Sequence, residues 1–141
     1  MWNQFPFPRT DVYISGKYDI LVRRDDGTYL VVDFKLSKPG EEKIQKYQSQ
    51  LWSYKFAIEN PINGADKKKI SKMGLVMIYP DEVKFERGRA VLDFPTTWLE
   101  ILPDEQAFGK LILEVDSLLK GETPLDGKDC TWCKYRGSSV L

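Results

Sequence analysis

The chain has 141 residues, the size of one domain, and its residues are 42% hydrophobic and 30% charged. This composition is typical of a globular protein and excludes disordered and collagen-like chains. No apolar run approaches the ~20 residues of a membrane span, and the N-terminus has no signal-peptide pattern. The two cysteines, Cys130 and Cys133, are too few for a disulfide framework. We therefore expect an intracellular, cytoplasmic protein that does not contact a membrane.

The charges exclude several kinds of activity. The chain contains no histidine, which rules out Ser-His-Asp triads and histidine-ligated zinc hydrolases. Its net charge is zero, which rules out a uniformly basic nucleic-acid-binding coat. However, residues 35–72 carry nine basic and four acidic side chains, and residues 76–129 carry six basic and twelve acidic ones. This segregation predicts either a face that contacts a polyanion or two solvated surfaces.

The first half of the chain predicts a β-hairpin followed by a helix. Residues 12–22 and 28–35 have strand-like patterns and flank Asp26 and Gly27, a typical two-residue hairpin turn. Residues 41–59 follow a Pro-Gly break and have the pattern of an amphipathic helix. The apolar positions of this helix recur at spacings of three and four residues: Ile44, Tyr47, Leu51, Tyr54 and Ile58.

The second half predicts three more strands and a helix. Residues 73–79 form an uninterrupted apolar run, and residues 83–86 and 90–94 predict a second hairpin. Asp104 is a suitable N-cap for a last helix that ends at Gly121. This order of elements predicts an α/β fold with a mixed sheet flanked by helices.

The strand at residues 28–35 carries the most informative charges. Side chains alternate along a strand, so Asp33 and Lys35 share one face and Val32 and Phe34 the other. Burying either charge costs several kcal/mol unless the charge is paired or binds a metal. The strand alone is explained equally well by an ion pair at the sheet edge. We expect the Lys35 amine to lie away from the apolar core.

The neighbouring strand brings a second carboxylate to this position. Counted outward from the turn, Asp19 lies opposite Phe34 and therefore close to Asp33. Two carboxylates repel each other at such a distance unless a cation lies between them. With no histidine and no cysteine nearby, oxygen ligands favour Mg²⁺ or Mn²⁺.

These residues fall into three motifs with a characteristic order. Gly16-x-x-Asp19 on a strand, Asp33-Phe34-Lys35 on the next strand and Gln50-x-x-x-Tyr54 on a helix resemble the PD-(D/E)XK nuclease superfamily. Within it, they are similar to the RecB-like branch, including CRISPR-associated RecB-like exonucleases. The resemblance covers residues 13–135 and implies a restriction-endonuclease-like core. It also implies a metal-dependent, exonuclease-like deoxyribonuclease acting in DNA repair, recombination, or a mobile-element or CRISPR context.

The resemblance assigns roles to individual residues. It implies that Asp19, Asp33 and the Phe34 carbonyl hold the metal, and that Lys35 positions the attacking water. Gln50 and Tyr54 would lie over the site, and their i, i+4 spacing places both on one helix face. Tyr54 also fits the apolar stripe of the helix and is equally explained as a core residue. We expect six lysines of the basic segment to contact DNA phosphates: Lys38, Lys43, Lys46, Lys67, Lys68 and Lys69.

Both ends of the chain depart from the family pattern. Cys130-Thr131-Trp132-Cys133 resembles the end of RecB-like domains that bind an iron–sulfur cluster, but two cysteines cannot complete a four-cysteine site. The family has a helix before the first strand, whereas here only about eleven residues precede it. Residues 1–141 thus form either a minimal single domain or one completed by a missing segment or a partner chain.

Two other functions remain consistent with this sequence. In the first, the chain has the same fold but no catalytic activity, and is a degenerate RecB-like domain that binds DNA or a protein. The second is an unrelated α/β binding domain with a surface ion pair. Retention of Asp19, Asp33 and Lys35 together favours the nuclease over both.

Overall fold

The computed structural model of the protein describes residues 10–61, 64–125 and 127–138. Nine elements follow one another along these residues: β1 (Ile20–Arg23), β2 (Tyr29–Leu36), α1 (Glu42–Glu59), β3 (Ile70–Ile78), β4 (Glu82–Glu86), β5 (Arg89–Asp93), β6 (Thr96–Glu100), α2 (Glu105–Lys120) and α3 (Thr131–Ser138). None of the described helices is both long and apolar enough to cross a membrane.

The main sheet has four strands in the order β1-β2-β3-β6. β2 and β3 are parallel and are joined through α1, while β1 and β6 pair antiparallel at the two edges. β4 and β5 form a separate two-stranded ribbon. The mixed α/β fold predicted from the sequence is thus confirmed. The Asp104 cap is confirmed as well, because its Oδ1 accepts a hydrogen bond from the Ala107 N–H at 2.8 Å.

The first hairpin turn is longer than predicted, which changes the strand register. The Arg24 N–H donates to the Thr28 carbonyl at 2.8 Å, so the loop has three residues, 25–27. Gly27 has a φ of +80°, as expected for a three-residue loop that closes with a left-handed residue. The register therefore pairs Ile20 with Val32, and its extension places Asp19 opposite Asp33 instead of Phe34. The predicted pairing was wrong by one residue.

The hydrophobic core lies on the face of the sheet that is covered by α1 and α2. Trp52 of α1 and Phe108 of α2 meet in this core at 6.4 Å between ring centroids. The sheet contributes Val31, Met73, Leu75 and Met77. This is also the face of Asp33 and Lys35, so the expectation that Lys35 points away from the core is wrong. Part of the opposite face is exposed: Ile20, Val22, Phe34, Leu36 and Trp98.

Several elements differ from the sequence prediction. The sequence predicted a strand over residues 12–22, but β1 begins only at Ile20, so residues 12–19 do not form a strand. The edge strand β6 and the short helix α3 were not predicted. Gly74 of β3 lies opposite Glu100 of β6, and a glycine is needed there because a Cβ would lie 2.5 Å from both the Leu99 carbonyl and the Trp98 ring.

Candidate active site

The site forms where β2 continues past the end of β1. Ile20 opposite Val32 is the end pair of the β1–β2 ladder, whereas Asp33 and the residues after it continue to pair with β3. At this open edge, Oδ2 of Asp19 accepts a hydrogen bond from the Phe34 N–H at 2.8 Å. The N–H and C=O of a strand residue point to the same side, so the Phe34 carbonyl faces the same edge as Asp19.

Asp33 is a buried acid at the end of the apolar core. It is 2% exposed and is the one charged residue among the buried residues that the structure describes. Its Oδ1 accepts a hydrogen bond from Nε2 of Gln50 at 3.2 Å. Its Oδ2 lies 2.5 Å from Nζ of Lys35 but accepts no hydrogen bond of good geometry from the described residues. The Lys35 ammonium therefore neutralises this oxygen as an ion-pair partner.

Lys35 is held by three neighbours. In addition to Asp33, its ammonium donates to Oε1 of Gln50 at 3.3 Å. The same ammonium lies 4.6 Å from the centre of the Tyr47 ring, within the range of a cation–π interaction. The Lys35 side chain is 20% exposed, so its charged end is close to solvent while that of Asp33 is not.

Gln50 connects the strand residues to the helix. Its amide donates to Asp33 and also to the Tyr54 hydroxyl, at 2.6 Å, while its carbonyl oxygen accepts from Lys35. Both ends of the amide are therefore used, which fixes its orientation. Tyr54 packs against the core and joins this network through its hydroxyl.

The structure brings together most of the residues singled out in the sequence. Asp33, Lys35, Gln50 and Tyr54 form one connected network, and Asp19 joins it through the Phe34 backbone. Sequence reasoning missed Tyr47 as a site residue. Its position three residues before Gln50 and seven before Tyr54, on one helix face, was a usable signal.

The oxygen atoms at this edge fit a hard divalent cation. The buried Oδ2 of Asp33 has a cation beside it already, the Lys35 ammonium, and Asp19 and the Phe34 carbonyl face the same edge. Carboxylate and carbonyl oxygens are ligands of Mg²⁺ and Mn²⁺. The described residues contain no cluster of three or more His, Cys, Asp or Glu side chains that could hold a metal. A cation here would thus complete its shell with water or a phosphate oxygen of a substrate.

The six lysines expected to contact DNA are divided between two regions. Lys38, Lys43 and Lys46 lie just before or within the first turns of α1, and the Lys46 ammonium is 5.3 Å from the centre of the Tyr47 ring. Lys67, Lys68 and Lys69 precede β3, whose start pairs with the start of β2. The lysine loop therefore lies at the opposite end of the sheet from Lys35. Four of the six are exposed, whereas Lys43 and Lys68 are half-buried.

The two cysteines lie at the start of α3 and are bonded to each other. The Cys133 N–H also contacts Sγ of Cys130 at 3.1 Å. Paired in this way, neither sulfur is available as a thiolate ligand for an iron–sulfur cluster.

Comparison with known proteins identifies the family. The family model of the PD-(D/E)XK nuclease superfamily matches residues 2–138. Neither a curated protein nor a solved structure matches the chain. The matched segment includes the strand acids, the lysine and the helix pair described above. The chain therefore belongs to the PD-(D/E)XK nuclease superfamily.

Proposed function

We propose that this protein is a metal-dependent deoxyribonuclease of the RecB-like branch that hydrolyses DNA phosphodiester bonds with Mg²⁺ or Mn²⁺. The observation that carries the proposal is the buried carboxylate of Asp33, which is 2% exposed, has the Lys35 ammonium 2.5 Å from its Oδ2, and lies at the open strand edge where Asp19 binds the Phe34 N–H. Exonuclease-like action in DNA repair, recombination, or a mobile-element or CRISPR context is part of this proposal, and it rests on the resemblance of the three motifs to the RecB-like branch.

The residues divide into metal ligands and positioning groups. Asp19, Asp33 and the Phe34 carbonyl would hold the cation, which supplies a Lewis acid for the phosphate and lowers the pKa of a bound water. Lys35 orients the attacking water and stabilises negative charge on the phosphate. Gln50 aims the Lys35 ammonium, and Tyr54 fixes the amide of Gln50.

Lys35 has a second role before the cation binds. Its ammonium lies 2.5 Å from the Asp33 oxygen that would serve as a metal ligand, so it neutralises this buried acid in the metal-free protein. A metal held by the same oxygen would repel the ammonium, so we expect Lys35 to shift away from Asp33 in the metal-bound protein. The Gln50 carbonyl oxygen and the Tyr47 ring are already within reach to hold its ammonium in the site.

A second candidate is a domain of the same fold that binds DNA or a protein without cutting. The small number of metal ligands favours this non-catalytic candidate, since the described residues offer two carboxylates and no third acid for a metal. The two candidates differ in one property, which is metal-dependent hydrolysis.

The test is the release of nucleotides from linear DNA in the presence of Mn²⁺. We expect wild-type protein to release them and Lys35→Met to be inactive. Lys84→Met is a matched control, because Lys84 forms an exposed ion pair with Glu82 at 2.9 Å on the separate ribbon. Covalently closed circular DNA tests the exonuclease assignment and should remain intact. Absence of Mn²⁺-dependent cleavage by wild type, with DNA still bound, would establish the non-catalytic candidate instead.

A further inference from the structure

One face of the main sheet is apolar and open to solvent. α1 and α2 both pack on the other face, where the core lies. On the solvent side, Leu36 is 84% exposed, and Ile20, Val22, Phe34 and Trp98 are each 40–42% exposed. A sheet face that contacts water usually carries polar residues at such positions. We call the surface formed by these five side chains the exposed face.

The exposed face is continuous across all four strands. The register places Phe34 opposite Val76 and Val76 opposite Trp98, so these three side chains form a row from β2 to β6. Ile20 lies opposite Val32 and extends the surface to β1. Parallel strand pairs such as β2 and β3 are typical of sheets that are covered on both faces. The exposed face therefore has the character of a surface that is covered by a partner.

The size of the exposed face matches a small protein–protein interface. Four strands about 4.8 Å apart, with the eight residues of β2 rising about 3.3 Å each, give a flat area of roughly 500 Å². Two such faces packed together would bury roughly 1,000 Å² in total, which is the lower end of the range for specific interfaces. An interface of this size fits a dimer with a dissociation constant of roughly 1–100 μM.

The charges on this side of the sheet favour a second copy of the chain over a charged partner. Among the described strand positions on this side, the charged side chains are Lys72 of β3 and Glu100 of β6. They pair with each other, with 3.5 Å between Nζ of Lys72 and Oε2 of Glu100. Because the two charges cancel, two exposed faces do not repel each other, whereas a polyanion finds no net attraction there.

We propose that two copies of this chain form a two-fold dimer in which their exposed faces pack against each other. Sheets packed in this way lie about 10 Å apart, and their side chains interdigitate between them. Each copy contributes the same surface, as a two-fold interface requires. Asp33 and Lys35 lie on the other face of β2, so the dimer leaves both candidate active sites accessible. The inference does not depend on the nuclease function.

The test measures the mass of the wild-type protein by sedimentation equilibrium, at concentrations from about 1 to about 200 μM. We expect the average mass to rise over this range from that of a monomer towards that of a dimer. A protein that remains monomeric at about 200 μM would overturn the proposal, because this concentration exceeds the expected dissociation constant. Assembly that continues beyond a dimer would overturn it as well, since a two-fold interface is closed.

A double variant locates the contact on the exposed face. Val22→Lys combined with Leu36→Lys brings four ammonium groups into the interface, and should keep the protein monomeric up to about 200 μM. Leu118→Lys combined with Leu119→Lys, at two exposed positions of α2, is the matched control and should dimerise like wild type. Circular dichroism and urea unfolding verify that both variants are folded. Unchanged dimerisation of a folded Val22→Lys, Leu36→Lys protein would overturn the proposal.

A single variant and a second readout apply if the double variant does not fold. Leu36→Lys changes the most exposed residue of the exposed face and should weaken dimerisation roughly tenfold or more. Quenching of Trp98 by acrylamide, taken as the difference between wild type and Trp98→Phe, should decrease as the wild-type protein dimerises. Dimerisation that leaves the quenching of Trp98 constant would place the contact elsewhere and contradict the proposal.

Discussion

The ammonium of Lys35 lies 2.5 Å from a carboxylate oxygen of Asp33, two residues before it on the same face of β2. Asp33 is 2% exposed, so this pair is at the boundary of the core. A buried ion pair is often no more stabilising than two apolar side chains of similar volume. Stability therefore does not explain why a charged pair lies here. The metal-binding role proposed for Asp33, with Lys35 as its counter-charge, would explain the pair.

The two members of this pair should respond unequally to substitution. Lys35→Met leaves the short, buried Asp33 carboxylate without a counter-charge, and should destabilise the metal-free protein by about 3 kcal/mol. Asp33→Asn leaves a long, partly exposed lysine that can turn towards water, so the expected loss is under ~1 kcal/mol. Urea unfolding in EDTA measures both. Equal losses would show that Asp33 is not the more confined charge.

Mn²⁺ should restore stability to the Lys35→Met variant. The cation would neutralise Asp33 in place of the missing ammonium, and ligand binding stabilises the folded state by mass action. We expect the variant to bind Mn²⁺ at least as tightly as wild type in a calorimetric titration, and to remain unable to cut DNA. Lys84→Met should match wild type in both assays. Loss of Mn²⁺ binding in Lys35→Met would mean that the lysine supports the site and does not compete with the metal.

The amide of Gln50 should matter as a donor to Asp33. Gln50→Glu has the same shape but places a carboxylate about 3 Å from Oδ1 of Asp33, and like charges so close repel. We expect the metal-free protein to lose about 1–3 kcal/mol of stability, and Mn²⁺ to reverse the loss. Gln45→Glu, on the exposed surface of α1, is the control and should change little. A stable Gln50→Glu protein with unchanged Mn²⁺ affinity would contradict the arrangement.

The lysine loop should contribute to DNA affinity through phosphate contacts. Reversing the charge of Lys67, Lys68 and Lys69 should weaken DNA binding and reduce its dependence on salt, because fewer counterions are released. Fluorescence anisotropy across a salt series measures both quantities. A control protein with charge reversal at Lys84, Lys110 and Lys128 should keep the wild-type salt slope. Identical slopes in the two variants would show that the loop is only a solvated surface.

The motif residues could be predicted from the sequence because their positions depend on local geometry. Alternation along a strand places Asp33 beside Lys35, and helix periodicity places Gln50 beside Tyr54. The register of Asp19 was missed by one residue, since it depends on a left-handed Gly27 and on which residues close the turn.

Other features depend on packing between distant segments. Both faces of β2 carry apolar residues, so its sequence does not show which face the helices cover. The edge strand β6 is mostly exposed and has no buried pattern that would reveal it. The exposed face comes from four strands that are brought together only in the folded protein.

The most direct test of the account is a crystal structure of the protein grown with Mn²⁺, with the metal located by its anomalous signal. We expect Mn²⁺ at the open edge of β2, with Asp19, Oδ2 of Asp33 and the Phe34 carbonyl at about 2.0–2.6 Å. The Lys35 ammonium should have left Asp33 while keeping its contact with Gln50. A structure at saturating Mn²⁺ with no metal at this edge, and with Lys35 still paired to Asp33, would contradict the account.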